Sequence, residues 1–281
     1  TPKSTVKNNT TLSYSNIEDL SKHPEKVKVN SKFDNAVIHV SDLNYFTNSI
    51  PTTYHNESIK LNTELSGRLN YIIIPYLQLS ALRNTNVNIS GNIKGLPDMQ
   101  QAFFDIRIHH LRTTKRDLQA FIPKKSLPDS ITLPNYISIS GDFKGGLKRF
   151  STTLNTATDL GIVNVNGTFD MTKKGKEHYK ADLGLLAFDA GKLLRKQDVL
   201  GKVSLNMHVD GSGISKETAN AKFDGKVIAL HYNGYNYKDV DISGAFANQS
   251  LHIITKSDDP NVTLNLDRKS TRLNSSHVSE S

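Results

Sequence analysis

Val87-Asn88-Ile89-Ser90-Gly91-Asn92-Ile93 alternates apolar and polar residues and interrupts the apolar series with one glycine. The phrase returns as Ile137-Ser138-Ile139-Ser140-Gly141-Asp142-Phe143, as Val163-Asn164-Val165-Asn166-Gly167-Thr168-Phe169, and as Val240-Asp241-Ile242-Ser243-Gly244-Ala245-Phe246. Looser copies run from Leu61 to Leu69 and from Leu205 to Gly211. Period-two alternation marks a strand with one buried face and one wet face. A glycine on the apolar face lets a sheet bend sharply, or lets a neighbouring ring lie over the backbone. The expected fold is therefore mostly β: a repetitive, strongly curled antiparallel sheet with a few short helices. Repetition of this kind points to architecture rather than to an active site.

Around these phrases the chain divides into segments. Residues 1–30 are polar and read as a loop or frayed lead-in, Val27 to Val29 excepted. A first β-rich repeat segment covers 31–122, a Pro-containing connection 123–135, and a second β-rich repeat segment 136–266. Pro75 is expected to divide Tyr71–Ile74 from Leu77 and Leu79, as two edges of one meander. Three short helices are expected at strand ends. The first starts at Ser41 or Asp42 as cap and turns Leu43 and Phe46 inward. The second spans 113–121 with Leu118 and Phe121 inward and stops before Pro123. The third covers Asp189 to Leu194. A larger unit thus recurs, strands followed by a short helix.

The final stretch stands apart. Asp267-Arg268-Lys269-Ser270-Thr271-Arg272-Leu273-Asn274-Ser275-Ser276-His277 matches the conceptual translation of a common sequencing adapter. Residues 267–281 are expected to be an artefact and are excluded from the fold reading.

Composition narrows the chemistry. There is no cysteine, which removes disulfides, thiol catalysis and cysteine-ligated zinc. No apolar run is long enough to cross a bilayer as a helix, and no signal peptide is visible. The formal net charge is +8. Its cations fall in turns, such as Lys124-Lys125 and Lys173-Lys174-Gly175-Lys176, not along one face with interleaved aromatics. That pattern speaks against a nucleic-acid partner. His109-His110 lacks a third metal ligand nearby and reads as a surface pair. Asp258-Asp259-Pro260 reads as a turn, not a calcium loop. Gly145-Gly146 and Gly211-Ser212-Gly213 do not have the spacing of phosphate loops. Asp34, Asp105 and Asp182 stand near strand–helix joins, where capping explains them better than acid–base work. No nucleophile–base pair emerges, so no enzyme activity and no cofactor is expected.

The order of the phrases carries a family resemblance. Leu65-Ser66-Gly67-Arg68-Leu69, the run from Val87 to Asp98, Ile139 to Gly145, Thr218 to Asp224 and Asn233 to Tyr237 resemble the long repeats of the TamB (translocation and assembly module) family, within the wider AsmA-like group. The resemblance covers about residues 30–266. It implies an inner-membrane-anchored protein of a Gram-negative envelope whose middle crosses the periplasm as a taco-like trough with an apolar interior. It implies an anchor by one N-terminal helix and an Omp85-type outer-membrane barrel as partner of a C-terminal domain. Both lie outside this sequence, which is expected to be an internal fragment. The family is linked to outer-membrane protein assembly and to movement of phospholipids between the membranes.

The functional expectation follows: an apolar β-groove holding phospholipid acyl chains or nascent outer-membrane proteins. Its expected lining is Val87, Ile89, Ile93, Ile137, Ile139, Phe143, Val163, Val165, Phe169, Val240, Ile242 and Phe246. An alternative is an extracellular or surface β-sandwich binding module, an adhesin or glycan binder, with closed cores. A glycan-acting enzyme on a β-solenoid would need carboxylates grouped on one face, and an outer-membrane barrel would need longer strands with aromatic girdles.

Overall fold

A computed structural model describes residues 4–43, 54–121, 131–215, 217–257 and 265–270. Phe46, Asp258-Asp259-Pro260 and residues 123–130, 261–264 and 271–281 lie outside them. The chain is mostly β, every described strand pairing is antiparallel, and the helices are short.

Two compact units divide between Asp159 and Leu160. The first unit runs β1 (Asn8–Ser13), α1 (Asp19–Lys22), β2 (Lys28–His39), α2 (Val40–Leu43), β3 (Ser58–Arg68), β4 (Tyr71–Ala81), β5 (Thr85–Lys94), β6 (Phe103–Thr114), α3 (Lys115–Phe121), β7 (Tyr136–Gly145) and β8 (Arg149–Thr158). The second runs β9 (Gly161–Asp170), β10 (His178–Asp189), α4 (Ala190–Leu194), β11 (Leu200–Ser212), β12 (Asn220–Tyr232), β13 (Tyr235–Ala247), β14 (Ser250–Ser257) and β15 (Asn265–Ser270). Within each unit every strand pairs with its neighbour in sequence, giving a meander.

Several local expectations are corrected. The polar lead-in contains β1, whose residues are all exposed, and α1. Pro75 does not divide two strands but lies inside β4. The register shifts on both flanks, between Glu64 and Ser66 against β3 and between Ile74 and Leu77 against β5. Those irregularities absorb the N–H that proline lacks. Ser41 and Asp42 lie within α2 rather than capping it. The capping aspartate is found on α4, where Asp189 Oδ1 accepts the Lys192 N–H at 2.8 Å.

A regular period also emerges. The helices α2, α3 and α4 start at residues 40, 115 and 190, a spacing of 75 residues. Each follows a strand of 12 residues, β2, β6 or β10. Each of those strands has a register shift before its end, between Phe33 and Ala36, Ile108 and Leu111, or Leu185 and Phe188. The repeating module is therefore four strands and one helix.

Candidate apolar face

Antiparallel partners share a face of the sheet, and so do residues two apart on one strand. Following the register across the first unit gives continuous apolar rows. One row is Leu61, Leu79, Val87, Leu111 and Ile139. The next is Leu77, Ile89, Ile108, Gly141 and Leu154. A third holds Val29, Gly67, Ile72, Ile93, Phe104, Gly145 and Phe150. Phe143 lies between the last two rows, opposite Ile106, and Ile137 lies at the far end, opposite Thr113.

The second unit repeats the arrangement. Val163, Leu185, Leu205, Val227 and Val240 form one row, and Val165, Leu183, Met207, Gly225 and Ile242 the next. Phe169, Tyr179, Gly211, Ala221 and Phe246 form another. Thus the six expected lining residues of each unit lie on one face of that unit. The aliphatic partners from the even strands of the first unit and from β10 and β12, such as Ile108, Leu111, Leu183 and Val227, lie outside the expected lining. Their signal was the same alternation without a glycine to mark it.

The face is only half covered. Of the twelve expected residues Val240 alone is buried, at 7% exposure; the other eleven are half-buried. Substantial contacts among described elements join consecutive strands, and α2 to β2, α3 to β6 and α4 to β11. No second layer of sheet packs across either unit's apolar face among the described residues.

In the first unit both ends of the face are closed. At one end α3 bends over the Thr85–Thr113 row. Asp117, 1% exposed, accepts hydrogen bonds from the Asn84 N–H at 2.8 Å and the Thr85 hydroxyl at 2.9 Å. The hydroxyls of Thr85 and Thr113 lie 2.9 Å apart. Asp42 of α2 likewise accepts the Ser4 N–H at 2.8 Å and hydroxyl at 2.5 Å. At the other end Leu69 and Leu96 pack against the buried cluster of Val29, Ile72 and Ile74. Beside it the ring of Phe143 stacks on Phe150 at 5.0 Å and meets Phe104 edge-on at 6.4 Å. Between these closures lie the aliphatic rows through Val87 and Ile89.

The opposite face is polar and ion-paired across strands. Arg107 pairs with Asp142 at 3.1 Å and Lys144 with Asp105 at 3.3 Å, and His208 Nδ1 lies at hydrogen-bond distance, 2.8 Å, from Asp182 Oδ1. The hydrogen bond and charge of Asp142 raise the Arg107 pKa. Asp105 and Asp182 are therefore cross-strand partners, not caps. His109 stands on β6 beside its register shift, with Nε2 2.7 Å from the Ser90 hydroxyl.

Among the described residues no group of three or more metal-capable side chains converges, and no helix is long and apolar enough to cross a membrane. No protein-family model matches the chain, and no match is found among the curated proteins or the solved structures.

Proposed function

We propose that this chain is a stretch of a TamB/AsmA-like envelope scaffold, whose apolar β-faces curl into a groove for phospholipid acyl chains. In this reading it carries lipid across the periplasm between inner and outer membrane, or shelters outer-membrane proteins during assembly. It acts without catalysis and without a cofactor. The observation that carries the proposal is the pair of apolar faces, continuous through each unit and left without a covering layer among the described residues.

The physical argument is one of burial. An acyl chain laid along the rows is held by about 0.8 kcal/mol per methylene removed from water. The rows through Val87 and Ile89 are equivalent from strand to strand, so a guest moving along them exchanges like contacts for like. The two closed ends of the first unit's face direct such a guest across the strands rather than along them. A sandwich-type binding module would bring a second sheet onto the same face, and the described elements supply none.

Photocrosslinking in cells tests this, with the probe at Ile89, Ile139, Val165 or Ile242 and controls at Ser90, Ser140, Asn166 or Ser243. Phospholipid adducts at the apolar positions alone are expected. Adducts at neither set would overturn the groove reading.

A further inference from the structure

The first unit has two ends of its sheet with different chemistry. At the end away from α2 and α3 lie four connections: β1–β2, β3–β4, β5–β6 and β7–β8. Each has a large apolar side chain exposed within it or, for β3–β4, at the first residue of the strand that follows. Ile17 is 62% exposed, Tyr71 38%, Met99 48% and Leu147 49%. Each also has exposed cations close in sequence: Lys22 and Lys26, Arg68, Lys94, and Lys148 with Arg149. The Lys94 ammonium lies 5.1 Å from the centre of the Tyr71 ring.

One exposed apolar side chain is ordinary on any surface. A series with one at every connection of a single rim is not. Successive connections stand two strands apart, about 10 Å, so the tips form a line of about 30 Å. Carboxylates at this rim are largely engaged. Glu18 pairs with Lys22 at 2.9 Å, and the Glu25 carboxylate lies 3.3 Å from His23 Nδ1. Asp98 accepts the Gln100 N–H at 2.9 Å, and Asp19 is buried. Six cations, Lys22, Lys26, Arg68, Lys94, Lys148 and Arg149, against the four carboxylates Glu18, Asp19, Glu25 and Asp98 leave the apolar tips in a collar of net positive charge. That combination suits the boundary of an anionic bilayer, where apolar side chains pass below the phosphates and cations stay level with them.

We infer that this rim is a docking surface for an anionic lipid bilayer. The inference rests on the exposed connections and not on what the apolar face carries.

The chain has no cysteine, so single cysteines carry an environment-sensitive dye cleanly. Met99→Cys and Leu147→Cys report on the rim, Arg83→Cys on the opposite end, and Ile89→Cys on the apolar face. Each labelled full chain is mixed with phosphatidylglycerol-containing or pure phosphatidylcholine vesicles and floated on a density gradient. Flotation with the anionic vesicles, a blue shift at positions 99 and 147 but not at 83, and loss of binding as salt rises are expected. Joint replacement of Ile17, Met99 and Leu147 by Asp is expected to weaken binding about tenfold or more while leaving the β circular dichroism unchanged. No flotation at low salt, a shift at 83 in place of 99 and 147, or unaltered binding by the triple variant would overturn the inference. A shift at 89 without flotation would also overturn it, while supporting acyl uptake by the face. Flotation with shifts at 99 and 147 and none at 89 would support docking and count against the groove.

Discussion

Gly91 and Gly141 occupy the same place in the recurring phrase and have φ angles of +146° and +145°. A Cβ on Gly91 would stand 2.0 Å from the Asp105 carbonyl oxygen, and one on Gly141 1.9 Å from that of Thr153. Both conformation and space therefore exclude a side chain. Gly141→Ala is expected to cost about 2–3 kcal/mol, read from the urea midpoint; an unchanged midpoint would show that the strand adapts. In the second unit a Cβ on Gly244 would likewise meet a partner-strand carbonyl, that of His252 at 2.3 Å, and rings add to the crowding. The Tyr179 ring would be 2.8 Å from a Cβ on Gly211, and the Phe223 ring 2.5 Å from one on Gly244. Ring cover over glycine was legible in the phrase itself; the carbonyl contacts were not, because they belong to the partner strand. Burial of Tyr179 also raises its phenol pKa. The folded chain then holds that proton more tightly than the unfolded chain. The stabilisation is complete below the unfolded value, about 10, and is lost as pH rises through the folded one. Tyr179→Phe keeps the ring over Gly211 and removes this titration. Its stability is expected to fall less steeply than the wild type's in denaturant titrations between neutral and strongly alkaline pH.

The helices show what an element's sequence can and cannot reveal. Their places at strand ends were readable from a polar start, an inward leucine and, for α3, the proline that follows. What fixes them was not. Asp117 reaches Asn84 and Thr85, more than thirty residues back, and no local pattern encodes that partner. Replacing Asp117 with Ala removes the charge-assisted hydrogen bonds that tie α3 to Asn84 and Thr85 and is expected to cost about 1–3 kcal/mol. Hydrogen exchange across 115–121 should accelerate while β7 and β8 stay protected; uniform protection would show that α3 is held by packing alone. The strand β1 was legible only as a loop or frayed lead-in, for the opposite reason. Asn8-Asn9-Thr10-Thr11-Leu12-Ser13 is exposed throughout, so it has no apolar period to read. Pro75 misled because a proline is tolerated in a strand when the register slips on both sides of it.

At the scale of the whole chain, the alternating phrase revealed an apolar face in each unit, whereas the absence of a covering layer among the described residues is a property of tertiary contacts alone. If that face takes acyl chains, Ile89→Asp should sharply reduce their uptake and Ser90→Asp should not. Binding of a fluorescent fatty acid to the purified full chain measures both, and equal losses would dissociate the face from lipid. The spacing of 75 residues between helices has a further consequence. Each added module contributes four strands, about 19 Å of sheet where they pair side by side. Length then behaves as a ruler with fixed graduations, adjustable by duplication or loss of a module without a new fold. Excision of Val40–Thr114 joins His39 to Lys115 and preserves the order of strand and helix. That shortened chain is expected to melt cooperatively with undiminished β signal per residue, whereas removal of β4 and β5 alone breaks the spacing and should not be tolerated as well.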